Sequence, residues 1–496
     1  MRTVCALFVI GFSGAAFAGA FAGSTDGELL TTQQANAPAV EGVPEFPPDP
    51  AFQPRYQLER IEVRGNHKTE TALILREVGL VPGDVVAAND ARVGLARLRL
   101  LSLGFFLDVH LSLAKGERRG LATLVVEVEE RGTVILDALY LGTSQATALW
   151  GGLAATERNL FGRGLSLGAG FVGSTRPKVA GAEPGFAGAL HMAGPPTFFS
   201  GRLALQASLT ASRGSEFFRK SGSDSSSDPA DFVAANVRRL GGSFGAGRVL
   251  SRTFFLLGEA RFESIHANLP GDRTQTTPDG QIAQIPFAVL QGASHLGTLS
   301  LTLDIDSRSD PVLPRGGHHV SLTVEASTSA LASSYGFVKG VAQSSWYFPL
   351  RFGHVIGVHG FLGGIAGDAP YFDRFFVGDL NQLLPPRALG LNFSTQPSFD
   401  FLGTGSAARR YNNLAGRVLV EYAVPIWSRH GLLYRGDVFA AFGVFALSDP
   451  DDLRNSNLSF ARAVAPDLTA DLGIRLDTYV GIFTLSVANA IGRIPF

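Results

Sequence analysis

From about residue 134 to the C-terminus, the sequence is a succession of short runs in which apolar and polar residues alternate, separated by turn-rich polar inserts. A period of two residues is typical of β-strands whose two faces meet different surroundings. Each run covers about 8 to 13 residues, which is the length of a strand that crosses a bilayer at a tilt. The predicted strands are 134–141, 147–157, 164–172, 201–212, 237–249, 254–266, 296–306, 318–326, 335–347, 354–364, 414–424, 432–445, 468–476 and 481–487.

The composition favours contact between this sheet and lipid. Apolar residues make up 45% of the chain, charged residues only 17%, and there are 59 Gly and 37 Phe. The mean hydropathy is +0.17, yet beyond the N-terminus no apolar run is long enough for a spanning helix. Because lipid offers no hydrogen-bond partners to strand edges, such a sheet must close on itself. A soluble β-sandwich or propeller is the alternative, and the net charge of −1 disfavours a nucleic-acid-binding surface.

The N-terminus indicates the compartment. Residues 1–22 combine one early positive charge, a short apolar core and the cleavage candidates Ala16-Phe17-Ala18 and Ala20-Phe21-Ala22, which together predict a secretory signal peptide. A buried N-terminal helix is the alternative. The chain's single cysteine, Cys5, lies in this segment, so the mature protein is expected to have neither disulfides nor thiolate ligands. Residues 23–54 contain a proline cluster and are predicted to form an exposed linker.

A small soluble domain is predicted for residues 55–131. Its pattern indicates a strand at 56–64, a helix at 69–78, a second helix that Asn89 can cap and that ends at Gly104, and strands at 105–114 and 121–130. The order is β-α-α-β-β. Two helices and a few strands bury one core but leave a sheet edge open, and an extended peptide can pair with such an edge.

This domain resembles a polypeptide-transport-associated (POTRA) domain. The matching phrases are Ile61-Glu62-Val63-Arg64-Gly65-Asn66, Gly79-Leu80-Val81-Pro82-Gly83-Asp84, Leu103-Gly104-Phe105-Phe106 and Val125-Val126-Glu127-Val128-Glu129-Glu130, in the order of the family. By this resemblance the open edge binds client polypeptides, and the candidate edge residues are Phe105, Phe106, Val109 and Leu111.

Three motifs in residues 132–496 make this region similar to the β-barrel of the BamA/TamA-type outer-membrane assembly factors. The first is the phrase Asn-Leu-Phe-Gly-x-Gly at 159–164. The second is a turn before a mid-barrel strand, with Asp306, Arg308, Pro311, Pro314 and Gly316 as its motif residues. The third resembles the family's long inward-folding loop, and its motif residues are Phe376, Gly378, Pro386, Arg387 and Gly390.

The sequence also departs from that family. Ala388 stands where the loop motif usually has glycine, and Ala441 stands where a strand usually carries the acidic partner of the loop arginine. Asp437 is the nearest acid. With a two-residue period its side chain faces the same way as residues 439 and 441, so Asp437 is the candidate partner of Arg387.

The fold implied is mainly β: a transmembrane antiparallel β-barrel of about 16 strands preceded by one small α+β POTRA domain. The closing strand is the least regular part of the pattern. Only about four strands follow the loop, unless 481–487 and 491–496 are separate strands, and the terminal Phe496 suits an outer-membrane targeting signal.

Patterns typical of enzymes occur without their structural context. The G-x-S-x-G matches at 164–168 and 241–245 lack a strand–turn–helix setting, and the G-x-G-x-x-G match at 168–173 lacks a following helix. His318 and His319 are adjacent on one strand and point to opposite faces. We therefore predict no enzymatic activity, no cofactor and no metal site.

The resemblance implies an outer-membrane protein of a Gram-negative bacterium with its POTRA domain in the periplasm. Its predicted function is to capture β-barrel precursors on this domain and to insert them through a seam between the first and last barrel strands. The expected partners are unfolded barrel or secreted polypeptides, outer-membrane lipid and accessory periplasmic or lipoprotein subunits. Two alternatives remain: a polypeptide-secreting pore of the two-partner type, and a barrel that only anchors or displays another part.

Overall fold

The computed structural model describes residues 55–87, 90–142, 149–194, 203–220, 229–251, 253–277, 280–308, 313–376, 411–428, 433–454, 464, 466–478 and 481–493. The predicted signal peptide, the linker and Phe496 lie outside these residues. Contacts within the chain divide it into two compact units. One contains residues 55–131, and the other contains most of the chain from Gly132 onward. Within the described residues, no helix has both the length and the apolar character needed to cross a membrane.

The smaller unit is an α+β domain with one four-stranded sheet. Its strand order is β2-β1-β4-β3, in which β1 and β4 are parallel and the other pairs are antiparallel. The helices pack on the sheet over a core of apolar side chains that includes Leu58, Ile74, Leu100 and Leu124. The elements are β1 (Arg55–Arg64), α1 (Thr71–Val78), β2 (Val85–Ala87), α2 (Ala91–Ser102), β3 (Phe106–Lys115) and β4 (Leu121–Glu130).

The ends of the two helices follow local rules. Helix α1 stops where Gly79 adopts a left-handed conformation with φ of 65°, which glycine adopts without strain. Helix α2 is capped by Asp90, whose side chain accepts a hydrogen bond from the Arg92 backbone N–H. Hydrogen bonds from the Arg92 guanidinium and, to a lesser extent, this backbone hydrogen bond lower the pKa of Asp90 to about 2. The predicted cap, Asn89, lies outside the described residues and is one position too early.

In the described residues, the larger unit is a 15-stranded antiparallel meander: strands follow one another in the sheet in chain order, apart from four short strands in the connections. Two short two-stranded ladders, β12 with β13 and β18 with β19, lie in its loops. The strands of the large sheet are β5 (Val134–Gly142), β6 (Trp150–Leu160), β7 (Leu165–Ser174), β8 (Phe186–Ala193), β9 (Leu203–Arg219), β10 (Phe232–Val249), β11 (Phe254–Asn268), β14 (Gly292–Asp306), β15 (Gly317–Ser327), β16 (Phe337–Pro349), β17 (Val355–Gly367), β20 (Leu414–Ser428), β21 (Leu433–Ser448), β22 (Asp467–Thr478) and β23 (Gly481–Arg493). The loop strands are β12 (Thr274–Thr276), β13 (Ile282–Gln284), β18 (Phe375–Phe376) and β19 (Tyr411–Asn412), and helix α3 is Pro450–Arg454.

The predicted mainly β fold with a small α+β domain is confirmed, and one strand of the large sheet was missed. Strand β8 was missed because it has only eight residues, is rich in alanine and glycine, and follows a segment rich in glycine and proline. At the C-terminus, Gly481–Arg493 form the single strand β23, so four strands of the described sheet follow the long loop, as the sequence indicated. The described sheet therefore has 15 strands where about 16 were expected.

The two faces of the large sheet differ in chemistry. Apolar side chains on its outer face are exposed, for example Leu240 at 67% and Phe442 at 66%, whereas inward positions such as Arg261 and Glu325 are charged and buried. This pattern of apolar residues outside and polar residues inside is typical of barrels in lipid. We call the end at which β5 begins the proximal end and the opposite end the distal end; the longest connections, 269–291 and 368–413, lie at the distal end.

Candidate functional site

Two distal loops fold inward and fill this end of the barrel with apolar side chains. Tyr371 and Phe375 belong to the connection after β17, are 7% and 0% exposed, and pack in one cluster with Phe287 from the connection after β11. The Tyr371 backbone N–H donates to the Ala288 carbonyl at 2.9 Å. The Phe375 ring lies against Gly363 on the wall, where a Cβ atom would come within 2.3 Å of the ring.

Below this apolar cluster, charged side chains hold the inward loop to the wall. The Arg261 guanidinium binds the carboxylates of Glu263, Glu325 and Asp373, each with a contact of 2.9 to 3.0 Å. Arg261, Glu325 and Asp373 are all at most 5% exposed. Burying a charge is costly unless it is paired, so this cluster has a strong preference for the loop in its inward position.

Two further cations complete the cluster. Lys339 donates from Nζ to the Asp373 backbone carbonyl at 2.6 Å. Arg239 binds Glu263 at 2.8 Å and lies over the Phe372 ring at 4.0 Å. The loop segment 371–373 is thus held by side chains from β10, β11 and β16.

The residues of the predicted inward-loop motif are mostly outside the described part of the chain. Gly378, Pro386, Arg387 and Gly390 fall there, and only the backbone of Phe376 is described, in β18, where it pairs with Tyr411 of β19. The roles of these residues stay predictions. In the described start of the same connection, Tyr371, Phe372, Asp373 and Phe375 are buried, and Arg374 is half-buried.

At the proximal end, the predicted turn motif joins β14 to β15. The Arg308 side chain forms hydrogen bonds with both carboxylate oxygens of Asp306, at 2.6 to 3.1 Å, and both residues are buried. Gly317 has φ of +92° and lies so close to the Ser307 carbonyl that a Cβ atom would be 2.2 Å away. Pro314 and Gly316 are half-buried, and Pro311 lies outside the described residues.

This turn reaches across the inside of the barrel. The Leu313 side chain is 4% exposed, and its carbonyl accepts a hydrogen bond of 2.8 Å from Arg435 Nη1 on β21. Four strands separate β14 and β21 along the sheet on the side of β15. The Leu313–Arg435 bond therefore links parts of the wall that are several strands apart at the proximal end.

Asp437, the candidate partner of Arg387, is already paired. It faces inward beside Phe439 and Ala441, as the period predicts, and its carboxylate binds Arg435 at 3.1 Å. The identity of the partner of Arg387 remains a prediction.

Ala441 has an acid on either side in the sheet. It pairs with Glu421 on β20 and with Asp471 on β22. Glu421 binds the Arg475 guanidinium through both carboxylate oxygens. Asp471 has a buried oxygen, Oδ1, with no hydrogen-bond partner among the described residues.

The Asn-Leu-Phe-Gly-x-Gly phrase forms a tight turn between β6 and β7. The Asn159 side-chain oxygen accepts a hydrogen bond of 2.8 Å from the Gly164 backbone N–H. Phe161, Gly162 and Gly164 have positive φ values of 56°, 73° and 69°. Two glycines at left-handed positions lower the strain of this turn, which explains the motif locally.

In the described part of the smaller unit, β3 is an edge strand whose ladder partner is β4. The side chains of Phe105, Phe106 and Val109 point into the core and are at most 5% exposed, and Leu111 is half-buried. A partner at this edge would therefore meet the backbone of β3 rather than these side chains.

The sheet of the larger unit ends at β5 and β23. These strands come within 8 Å of each other between Cα atoms, and in the described part of the sheet each has a ladder with one neighbour only. The two ends thus face each other with unpaired backbone groups between them.

Sequence patterns missed the Arg261 cluster and the acids beside Ala441. Charged residues at inward positions of membrane strands, such as Arg261 and Glu263 two residues apart, are the signal that could have found the first group. The second group depends on the register between β20, β21 and β22, which a single sequence does not show.

Comparison with family models matches both units. Residues 159–493 match the Omp85 superfamily domain, and residues 56–131 match the POTRA model, described as surface antigen variable number repeat.

Two similar proteins are both described as outer membrane protein assembly factor BamA. That of Nitratidesulfovibrio vulgaris is 23% identical over 335 residues, which cover 66% of this chain and 37% of that protein. That of Neorickettsia risticii is 32% identical over 133 residues, which cover 25% of this chain and 18% of that protein. The chain thus matches less than half the length of either relative.

Two solved structures are similar in fold. BamA from Haemophilus ducreyi lacking POTRA domains 1–3 has a TM-score of 0.51 and 16% identity, covering 88% of this chain and 82% of that one. CdiB from Escherichia coli has a TM-score of 0.58 and 10% identity, covering 88% and 73%. At these identities the likeness concerns the fold alone.

Proposed function

The chain belongs to the Omp85 superfamily, and from this premise we propose that it captures unfolded outer-membrane proteins on its POTRA domain and inserts them through the seam between β5 and β23. Membership supports the coarser statement that the chain is a non-enzymatic factor of the Gram-negative outer membrane, for protein insertion or secretion. Short proximal connections then face the periplasm, and the long distal ones face outward.

The observation that carries the proposal is the pair of unpaired edges at β5 and β23. A strand entering lipid must satisfy its backbone groups, and an unpaired edge provides partners while it does so. Since β5 and β23 approach each other without a ladder in the described sheet, opening this seam breaks fewer hydrogen bonds than opening any other boundary.

The distal end of the barrel favours insertion over secretion through the lumen. The apolar cluster of Tyr371, Phe375 and Phe287 fills this end, and the Arg261 cluster lies beneath it. A polypeptide passing through the lumen would have to displace both. Insertion at the seam leaves them in place.

Depletion followed by proteomics of the outer membrane tests the proposal. Loss of many β-barrel proteins is expected for an insertion factor. Loss of a single secreted protein would instead support the polypeptide-secreting pore, and an unchanged outer membrane would contradict both functions.

A disulfide that closes the seam tests the route. Cysteine pairs with one member in 134–142 and one in 481–493 are scanned for cross-linking, and a cross-linked pair is expected to block insertion until it is reduced. Leu153→Cys with Phe171→Cys is the matched control, because these residues face each other across β6 and β7, away from the seam. Undiminished insertion through a locked seam would rule out this route.

A further inference from the structure

The backbone of β3 presents its free groups at alternate residues. Strand β3 pairs with β4 in continuous register from Asp108 to Lys115, so the outward direction alternates with a period of two along this stretch. The Val109 N–H and carbonyl both form hydrogen bonds outside the ladder, which places Val109 among the outward-facing residues. The backbone groups of Leu111, Leu113 and Lys115 therefore also point outward, away from β4.

Two side chains close this edge at Val109. Arg97, on α2, donates from Nε to the Val109 carbonyl at 2.7 Å. Asp108 accepts the Val109 N–H at 2.7 Å and also binds Arg97 Nη2 at 3.0 Å. Both backbone groups that an added strand would need at Val109 are therefore already occupied.

We propose that this Arg97–Asp108 clasp limits strand addition on the POTRA domain to the segment Leu111–Lys115 and that its release extends pairing past Val109 toward the start of β3. The inference rests on the proposed capture of unfolded outer-membrane proteins and adds where and in what register capture occurs. The clasp is accessible, since the Arg97 and Asp108 side chains are 48% and 64% exposed. An incoming strand can therefore compete for it.

The surroundings of the free segment fit an amphipathic strand. Leu111 and Leu113 are half-buried on the core face of β3, whereas His110 and Ser112 are exposed on the other face. A strand added beside β3 continues both faces, so it needs apolar residues on one side and polar residues on the other. Strands of β-barrels have this period-two pattern, which makes a barrel precursor the occupant.

The test uses the full chain in lipid nanodiscs and a labelled peptide with the sequence of residues 481–493, a barrel strand of this protein. Fluorescence anisotropy measures its affinity for the wild type and for the double variant Arg97→Ala with Asp108→Ala. Because the variant frees a donor and an acceptor at Val109, we expect the peptide to bind roughly tenfold more tightly.

The matched control removes another exposed ion pair of the same domain. Glu62→Ala with Arg64→Ala has the same net charge as the clasp variant, and this pair lies on β1, which β4 separates from β3. We expect no change in affinity. Hydrogen exchange of β4 in each variant confirms that the domain remains folded.

Disulfide trapping shows which residues of β3 lie next to the bound peptide. A peptide with a central cysteine is offered to Ser112→Cys, within the free segment, and to Leu107→Cys, beyond the clasp; the mature protein is expected to contain no other cysteine. In the wild-type background we expect cross-linking at 112 and not at 107. Removing the clasp is expected to add cross-linking at 107.

Other outcomes overturn the inference in distinguishable ways. Equal cross-linking at both sites with the clasp intact, or unchanged affinity without it, would show that the clasp does not limit pairing. Binding without cross-linking at 112 would exclude this edge while leaving capture standing. Failure of the peptide to bind any variant would overturn both the clasp inference and the capture step.

Discussion

The strands of both units alternate with a period of two residues, but apolar residues are buried in the POTRA domain and exposed on the barrel. On β3 of the POTRA domain, Val109 is buried, with 1% of its surface exposed, and the next residue, His110, is exposed. On β11 of the barrel, Arg261 is buried, with 5% of its surface exposed, and the next residue, Phe262, is 55% exposed. The difference follows from the solvent, because water surrounds the domain and lipid surrounds the barrel.

The comparison also extends to edges. The POTRA domain has a free edge at β3 that is closed at one position by side chains, whereas the barrel brings its two edges, β5 and β23, together without a ladder in the described sheet. Water can satisfy an exposed edge but lipid cannot. The barrel seam is therefore the place where an incoming strand gains most.

The largest loss of stability is expected when the buried charge cluster around Arg261 is disrupted. Arg261→Met leaves Glu263, Glu325 and Asp373 without their shared cation, which should cost about 3–5 kcal/mol of unfolding free energy. Urea unfolding in lipid vesicles measures this cost, and hydrogen exchange should increase at 371–376. Arg248→Met, at an exposed position, is the control and should change stability by less than about 0.5 kcal/mol. Equal effects would mean that the cluster does not hold the loop.

The second prediction compares an arginine placed on the lipid-facing surface of the barrel with an arginine placed on the water-facing surface of the POTRA domain. Phe262→Arg places a charge on the lipid-facing side of β11 and should destabilise the barrel by about 2–4 kcal/mol near the bilayer midplane. Val85→Arg, at a residue that is 52% exposed on the POTRA domain, should be nearly neutral. Unfolding in vesicles, followed separately for each unit, checks both. A neutral Phe262→Arg would contradict the assignment of lipid to that face.

A charge exchange tests the inward loop. Arg387→Glu is expected to lower the rate of precursor insertion into vesicles by about tenfold, a loss typical of one broken charged contact. Since Asp437 already binds Arg435 and one Asp471 oxygen has no hydrogen-bond partner among the described residues, a second change, Asp471→Arg, should restore more activity than Asp437→Arg. Better rescue at Asp437 would support the partner that the sequence indicated.

The smallest effect concerns pH and the POTRA domain. The Glu130 carboxylate accepts the backbone N–H groups of His67, Lys68 and Thr69 at 2.6 to 3.0 Å. Burial raises its pKa, but these hydrogen bonds outweigh burial and lower it below the ordinary value. The stabilisation is therefore complete above the unfolded pKa of about 4.3 and is lost as the pH falls through the folded value.

Because this carboxylate is partly exposed, the effect should be below about 1 kcal/mol. Hydrogen exchange of amides 67–69, corrected for intrinsic rates, should show protection that decreases below about pH 4 in the wild type. Glu130→Gln should lack this pH dependence. Identical profiles for the two proteins would contradict the role of Glu130.

Much of the fold could be predicted from the sequence because alternation and turn residues are local signals. The strand boundaries moved by a few residues, as at β15, which was predicted at 318–326 and runs over Gly317–Ser327. Strand β8 escaped because alanine and glycine carry little strand preference. The cap of α2 moved from Asn89 to Asp90, since both residues can cap and only the backbone geometry selects one.

The sequence by itself determined the two units, the solvent of each face and the family, because all three depend on residue type and short spacing. Only the tertiary structure decided which residues meet. Arg261 and Asp373 are 112 positions apart, Leu313 and Arg435 are 122 apart, and the clasp joins a helix to an edge strand. Such pairs depend on register and loop path, and no single-sequence pattern encodes them. The physical reason is that the two-residue period determines on which face of the sheet a side chain lies, whereas the closure of the sheet determines which side chains lie next to it.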